Sequence, residues 1–229
     1  MQQDIQISAQ TTQLALTQHK VLRNTYMMLG LTMIPTVIGA LVGTTSNFSF
    51  LAQYPIMGPL LMLAAMFGLM FAVSAARNSI WGVVLLLAFT FVMGWWLGPM
   101  LQYALHFRNG GQLVGMAAGG TGVIFFTLAG IATVTRKDFS FMGKFLLVGL
   151  VLLVIASIAN LFFQVPAASL TISAIAVLLF SGYILYDISQ IVHGGETNYI
   201  MATLKIFLDI YNIFVNLLYL LLAITGQRD

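Results

Sequence analysis

The chain has 229 residues, 60% of them hydrophobic and 7% charged, with a mean hydropathy of +0.97. Soluble domains carry about 25% charged residues, so this composition excludes a soluble globule and specifies a polytopic membrane protein in a lipid bilayer. A scattered net charge of +3 is too small for a nucleic-acid-binding face, and zero cysteines exclude disulfides and thiolate metal sites.

Residues 1–23 are polar, dominated by Gln and Thr, and contain no apolar core of signal-peptide length. They predict a flexible cytoplasmic tail with a short helix from about Leu14, ahead of one membrane domain over 24–229. A spanning helix needs about 20 apolar residues. Seven windows qualify, at 26–44, 55–75, 80–104, 112–134, 144–164, 168–191 and 203–224. Each break has a local cause: Thr44 to Asn47, Arg77 to Ser79, Arg108 to Gly111, Arg136 to Asp138, Pro166, and His193 to Asn198. The fold class is therefore an all-α membrane protein with seven transmembrane helices.

Charge sets the expected orientation. Lys20, Arg23, Arg77, Arg136, Lys137, Lys144 and Lys205 fall on one side, against Arg108 and Arg228 on the other. The positive-inside rule then places the N-terminus in the cytoplasm and, with seven spans, the C-terminus outside. Gly39 with Gly43, Gly94 with Gly98, and Gly115 with Gly119 are small residues four apart, the pattern of close helix packing. Gly98–Pro99 predicts a kink in the third span. The first three spans and the next three share no motif that aligns, so no internal repeat is assigned.

Two aspartates inside apolar segments, Asp187 in the sixth and Asp209 in the seventh, are the leading functional candidates, since a carboxylate at membrane depth is costly unless it faces protein or water. At 100° per residue Lys205, Asp209, Asn212, Asn216 and Tyr219 share one arc of the seventh segment. This polar stripe must look into the bundle, which makes the last helix central. Ser173, Phe180, Tyr183, Asp187 and Gln190 share a face of the sixth, so a polar seam could join the two. Both aspartates lie at similar height near the cytoplasmic boundary. If they meet, they cannot both ionise cheaply and share a proton, which makes the pair a pH sensor and, when doubly ionised, a ligand for a hard cation such as Ca²⁺. Alternatively, each snorkels to cytoplasmic water. Lys205, one turn before Asp209, and Arg77, at the end of the second span, are the available counter-charges.

The strings HKVLRNTY (19–26), GWWLGPML (94–101), TRKDFSFMG (135–143), IVHGGETNYIMAT (191–203) and YNIFVNLL (211–218) resemble the Bax inhibitor-1 family, and within it the bacterial YccA branch, over nearly the whole chain from His19 onward. The resemblance implies six helices wrapped around a central C-terminal seventh. It also implies a pH-sensitive calcium leak controlled by an aspartate pair, here Asp187 and Asp209, with a basic latch on the second helix, here Arg77. Some members carry a further acid inside the second helix; this chain has none there, which counts against efficient conduction. The branch implies instead a bacterial inner-membrane protein that associates with the membrane-anchored AAA protease FtsH, restraining it as a poor substrate. The polar stretch from Met1 to about Gln18 is the kind of handle a processive protease grips.

A catalytic role is not expected. The Tyr186–Asp187 dipeptide resembles an intramembrane aspartyl protease motif, but Phe207 and Leu208 precede Asp209 where that class needs a glycine-containing turn. No HExxH or serine elbow occurs, and His19, His106 and His193 are far apart. His193 lies beside Glu196 in a loop, as a solvated histidine or a local tuner of pH response.

Overall fold

Helices are the form in which a single segment satisfies its own backbone in lipid, and this chain forms nothing else of regular structure among the described residues. The computed structural model describes residues 2–49, 53–54 and 57–225, with the backbone alone for 2–16 and for Pro59. The helices are α1 (Gln2–Thr45), α2 (Met57–Ala75), α3 (Ile80–Trp96), α4 (Gly98–Leu105), α5 (Gly110–Thr135), α6 (Met142–Phe163), α7 (Pro166–Val192) and α8 (Tyr199–Thr225). Six stretches are long and apolar enough to cross a membrane: Thr17–Thr45, Ile80–Leu105, Gly110–Thr135, Met142–Phe163, Pro166–Val192 and Tyr199–Thr225. With 19 residues, α2 extends about 28 Å at 1.5 Å per residue, close to the ~30 Å hydrocarbon core. The protein is an all-helical, multi-pass membrane protein.

Three features depart from, or refine, the reading of the sequence. Where composition predicts an irregular tail up to about Leu14, the backbone continues α1 back to Gln2. A helix already nucleated by a membrane span adds one hydrogen bond per residue fixed, and Gln, Ala and Leu favour such growth. The third span is broken into α3 and α4 at Leu97, beside Gly98–Pro99, because Pro99 has no N–H to donate back to Trp95. Gly115 and Gly119, expected to pack closely, are exposed, and a Cβ added at either would meet nothing within 4 Å. Residues 55 and 56 of the second window and Arg228 lie outside the described residues.

The chain divides into two units. In residues 27–114, α1 and α3 touch backbone to backbone. A Cβ at Gly39 would run into the Phe91 carbonyl, one at Gly94 into the Thr36 carbonyl, and one at Gly43 would lie 2.5 Å from Trp95 O. The end of α1 is tied down by Gln102, whose Nε2 donates to the carbonyls of Gly43 (3.0 Å), Thr44 (3.2 Å) and Ser46 (2.8 Å). These are the orphan acceptors of a helix C-terminus. Trp95 Nε1 donates to Ser46 Oγ at 2.8 Å, and Phe48 packs on the Trp95 ring with centroids 5.0 Å apart.

The other unit comprises residues 1–26 and 115–229. Here α6 and α7 approach through glycines on both helices: a Cβ at Gly143 would meet the Tyr186 ring at 2.8 Å, one at Gly149 the Leu179 Cδ1 at 2.8 Å, and one at Gly182 the Leu146 Cδ2 at 2.8 Å. Apart from Leu146, α6 buries no residue. The start of the first span joins this unit through Thr203 Oγ1, which donates to Thr25 O at 3.4 Å, and through Tyr26, set edge-on to Phe125 with centroids 6.3 Å apart.

Candidate functional site

The loop between α7 and α8 reverses the chain tightly. Gly194 takes φ 78°, a left-handed conformation that costs a glycine nothing. Gly195 N and Glu196 N donate to Gln190 O at 2.7 and 3.1 Å. Asn198 then starts α8: its Oδ1 accepts from the amides of Ile200 (3.0 Å) and Met201 (3.1 Å), two of the donors a helix start leaves unpaired. So short a reversal lays α7 and α8 side by side and antiparallel.

This brings Asp187 and Asp209 within electrostatic range of each other. They are 7% and 5% exposed, which rules out snorkelling to water. An ionised carboxylate only accepts, so a hydrogen bond between the two forms only when one of them carries a proton. The buried Oδ2 of Asp209 has no hydrogen-bond partner among the described residues. Tyr183, one turn before Asp187, lies within electrostatic range of both acids.

The other expected site residues divide. Lys205 is within electrostatic range of both aspartates, but its ammonium pairs with Glu196, at 2.7 Å from Oε2. A lysine N-terminal to an acid on one helix is the weaker i,i+4 orientation, and the loop offers Glu196 instead. Asn212 and Asn216 do not build a seam across to α7. Their Nδ2 groups donate back to the carbonyls of Leu208 and Asn212, each at 2.8 Å, which satisfies an amide without a partner helix. Tyr219, at the far end of the stripe, is exposed. Arg77 follows α2 in the other unit. Among the described residues no three His, Asp or Glu cluster as a metal site.

A second cluster escaped sequence reasoning. Ser189 and His193, at the end of α7, clamp the loop between α5 and α6. Ser189 Oγ accepts from Phe139 N at 2.9 Å, His193 Nε2 lies 3.1 Å from Arg136 O, and Gln190 Nε2 donates to Ser140 Oγ at 2.8 Å. His193 thus faces this loop, and Glu196 is left to Lys205. The only hint in the sequence was that both segments close a hydrophobic window on the same side. Ser189→Ala leaves the Phe139 amide without its acceptor, an expected loss of about 1–2 kcal/mol, visible as faster hydrogen exchange at Phe139. Within the loop, Asp138 accepts from Ser140 N at 2.8 Å, and its hydrogen bonds with Ser140 hold its carboxyl below the ordinary 3.8. A lowered folded-state value means the contribution is present above the ordinary pKa and lost as pH falls through the lowered one. Exchange at Ser140 should therefore accelerate only below about pH 4; acceleration near neutrality would contradict this account.

Fold and site together define a class: a multi-pass helical membrane protein whose last two spans share a buried carboxyl pair. The chain belongs to the Bax inhibitor-1 family. Residues 18–227 match the family described as inhibitor of apoptosis-promoting Bax1. The chain is 43% identical over 206 residues to the modulator of FtsH protease YccA of Escherichia coli K12, covering 90% of this chain and 91% of that one. It is 41% identical over 212 residues to an uncharacterized protein of Neisseria meningitidis serogroup A (92% and 93% covered). With an uncharacterized membrane protein of Vibrio cholerae it shares 40% identity over 211 residues (92% of each).

Proposed function

We propose that this protein sits in the bacterial inner membrane and binds and restrains the membrane AAA protease FtsH, as a poorly degraded substrate. The observation that carries this reading is the 43% identity, over nine-tenths of both chains, to a protein named a modulator of that protease; the same relative in a second Escherichia coli strain is named an inner membrane protein. The polar N-terminal stretch, cytoplasmic by the positive-inside rule, is the handle, with the C-terminus periplasmic. The close-packed helices behind it are the resistance. In the first half of α8, Ala202, Thr203, Leu204, Ile206 and Phe207 are all buried while Lys205 is exposed, so this part of the last span is enclosed on one broad face, in keeping with a last span that the other six wrap. Co-purification from native membranes tests the proposal. The intact chain should bring down FtsH and a chain lacking residues 2–16 should lose it. No FtsH with either chain, together with unchanged membrane-protein turnover when the gene is deleted, would reject it.

The carboxyl pair favours a second reading, a pH-gated leak for Ca²⁺ with Asp187 and Asp209 as the gate and Arg77 as a latch. Reconstituted into liposomes loaded with a calcium dye, the protein should then pass Ca²⁺; flux equal to that of empty liposomes would remove this reading.

A further inference from the structure

The loop from α5 to α6 carries an arrangement that neither reading uses. Arg136, Lys137 and Lys144 are all exposed. None of them forms an ion pair among the described residues. The acid between them, Asp138, is turned onto Ser140. Phe141 and Phe145, one turn apart at the start of α6, are 78% and 75% exposed. Two choices of residue look unfavourable for the fold. Arg136 adopts φ 47° directly after α5, a left-handed position where glycine is the ordinary occupant. Lys144 occupies the first turn of α6, where no acid is present, although that end of a helix dipole repels cations. Strain at a residue held in place by its surroundings argues for a use of the side chain, and the surroundings do hold it, through His193 at the Arg136 carbonyl.

We propose that Arg136, Lys137 and Lys144, flanked by Phe141 and Phe145, form a binding site for the phosphate headgroup of an anionic phospholipid. A phosphate bound at this end of α6 is attracted by three cations that have no ion-pair partner among the described residues and by the positive end of the α6 dipole, which relieves the repulsion on Lys144. The two phenyl rings enter the acyl-chain boundary beside it. The occupant is a lipid and not an acidic protein segment because α6, which carries the site, is an apolar membrane-spanning helix with 6% of its apolar window buried, and because two exposed phenyl rings flank the cations, which a phospholipid satisfies with its acyl chains. Clamping by Ser189, Gln190 and His193 presents the site already ordered, so little entropy is lost on binding.

The test uses the full chain in detergent, titrated with phosphatidylglycerol or with phosphatidylcholine of identical acyl chains, with bound lipid counted by native mass spectrometry. Phosphatidylglycerol should bind the more tightly. Each of Arg136→Gln, Lys137→Gln and Lys144→Gln should weaken it about fivefold and the triple variant about a hundredfold. The swap R136K/K137R/K144R should retain binding. Arg136→Gly separates ligand binding from folding: freed of the left-handed cost, it should unfold at a higher temperature than wild type yet bind phosphatidylglycerol about fivefold less well. The proposal is overturned if the two lipids bind alike, as an acidic-protein site would give. It also fails if Arg136→Gly or the triple variant keeps full affinity, or if soluble glycerol phosphate competes as well as the lipid.

Discussion

Asp209→Asn is expected to flatten the pH response of the spacing between α7 and α8, and Asp187→Asn to do the same. In the wild type the two carboxyls are buried and within electrostatic range of each other, and in the proposed gate they share a proton. When it leaves, two unit charges about 4 Å apart repel by about 4 kcal/mol at an effective dielectric of about 20. No amide or hydroxyl stands at Asp209 Oδ2 to absorb that charge, so the helices must separate or admit water. The sign follows: spacing grows as pH rises. A single remaining carboxylate has no twin to repel, and an asparagine can donate to it at any pH. Spin labels at Val192 and Met201, read between pH 5 and 9, report the distance, and calcium flux from the same liposomes reports the gate. A wild-type distance that stays constant, or variants that respond as the wild type does, would reduce the pair to a structural contact.

Gly94→Leu should cost about 3 kcal/mol or more, enough to unfold much of the α1–α3 contact. Its Cβ alone runs into the Thr36 carbonyl, and on the facing helix a Cβ at Gly39 would run into Phe91 O. Backbone cannot move aside as a flexible side chain can, so the two helices must part along their length and lose the dispersion contacts that hold them. Gly115→Leu is the control. That residue is exposed with nothing within 4 Å, and replacing glycine in a helix gains up to about 1 kcal/mol of propensity. Unfolding midpoints in mild detergent should differ in opposite directions from the wild type. Equal midpoints for the two variants would mean that α1 and α3 do not touch as described.

These two glycines show where sequence reading stops. Gly39, Gly94, Gly115 and Gly119 carry the same spacing signal, yet only the first two meet a neighbouring backbone, because spacing specifies a smooth helix face and says nothing of which face finds a partner. The spans themselves were legible, since apolar length is a local property and the interrupting polar residues are adjacent in sequence. That Asp187 and Asp209 come within electrostatic range of each other was equally readable, as helical rise is constant and the intervening loop is short. Contacts between remote segments were not. Gln102 reaches carbonyls 56 to 59 residues away, and Ser189 caps an amide 50 residues back. Nothing local distinguishes these polar residues from others that face water. The asparagines of α8 misled for a different cause: a polar stripe suggests a facing partner, but an amide can bond its own helix one turn back.

The direction of α1 relative to its anchors has a mechanical meaning. A motor that pulls on the N-terminus loads this helix end-on, so its hydrogen bonds open one after another, as in unzipping, and the early polar turns yield at low force. Peeling meets lateral attachment already at Gln18, beside Gly194, and at the buried Val21, then at Thr25, whose carbonyl accepts from Thr203, and later at Gly39, where carbonyl-to-glycine contact leaves no slack for sliding. Rupture there must break many contacts at once, and its rate under load is set by the unfolding barrier, not by the equilibrium stability. Under such a load the first span would behave as a ratchet tooth: easily seized at its tip, and slow to give way once its buried positions are reached.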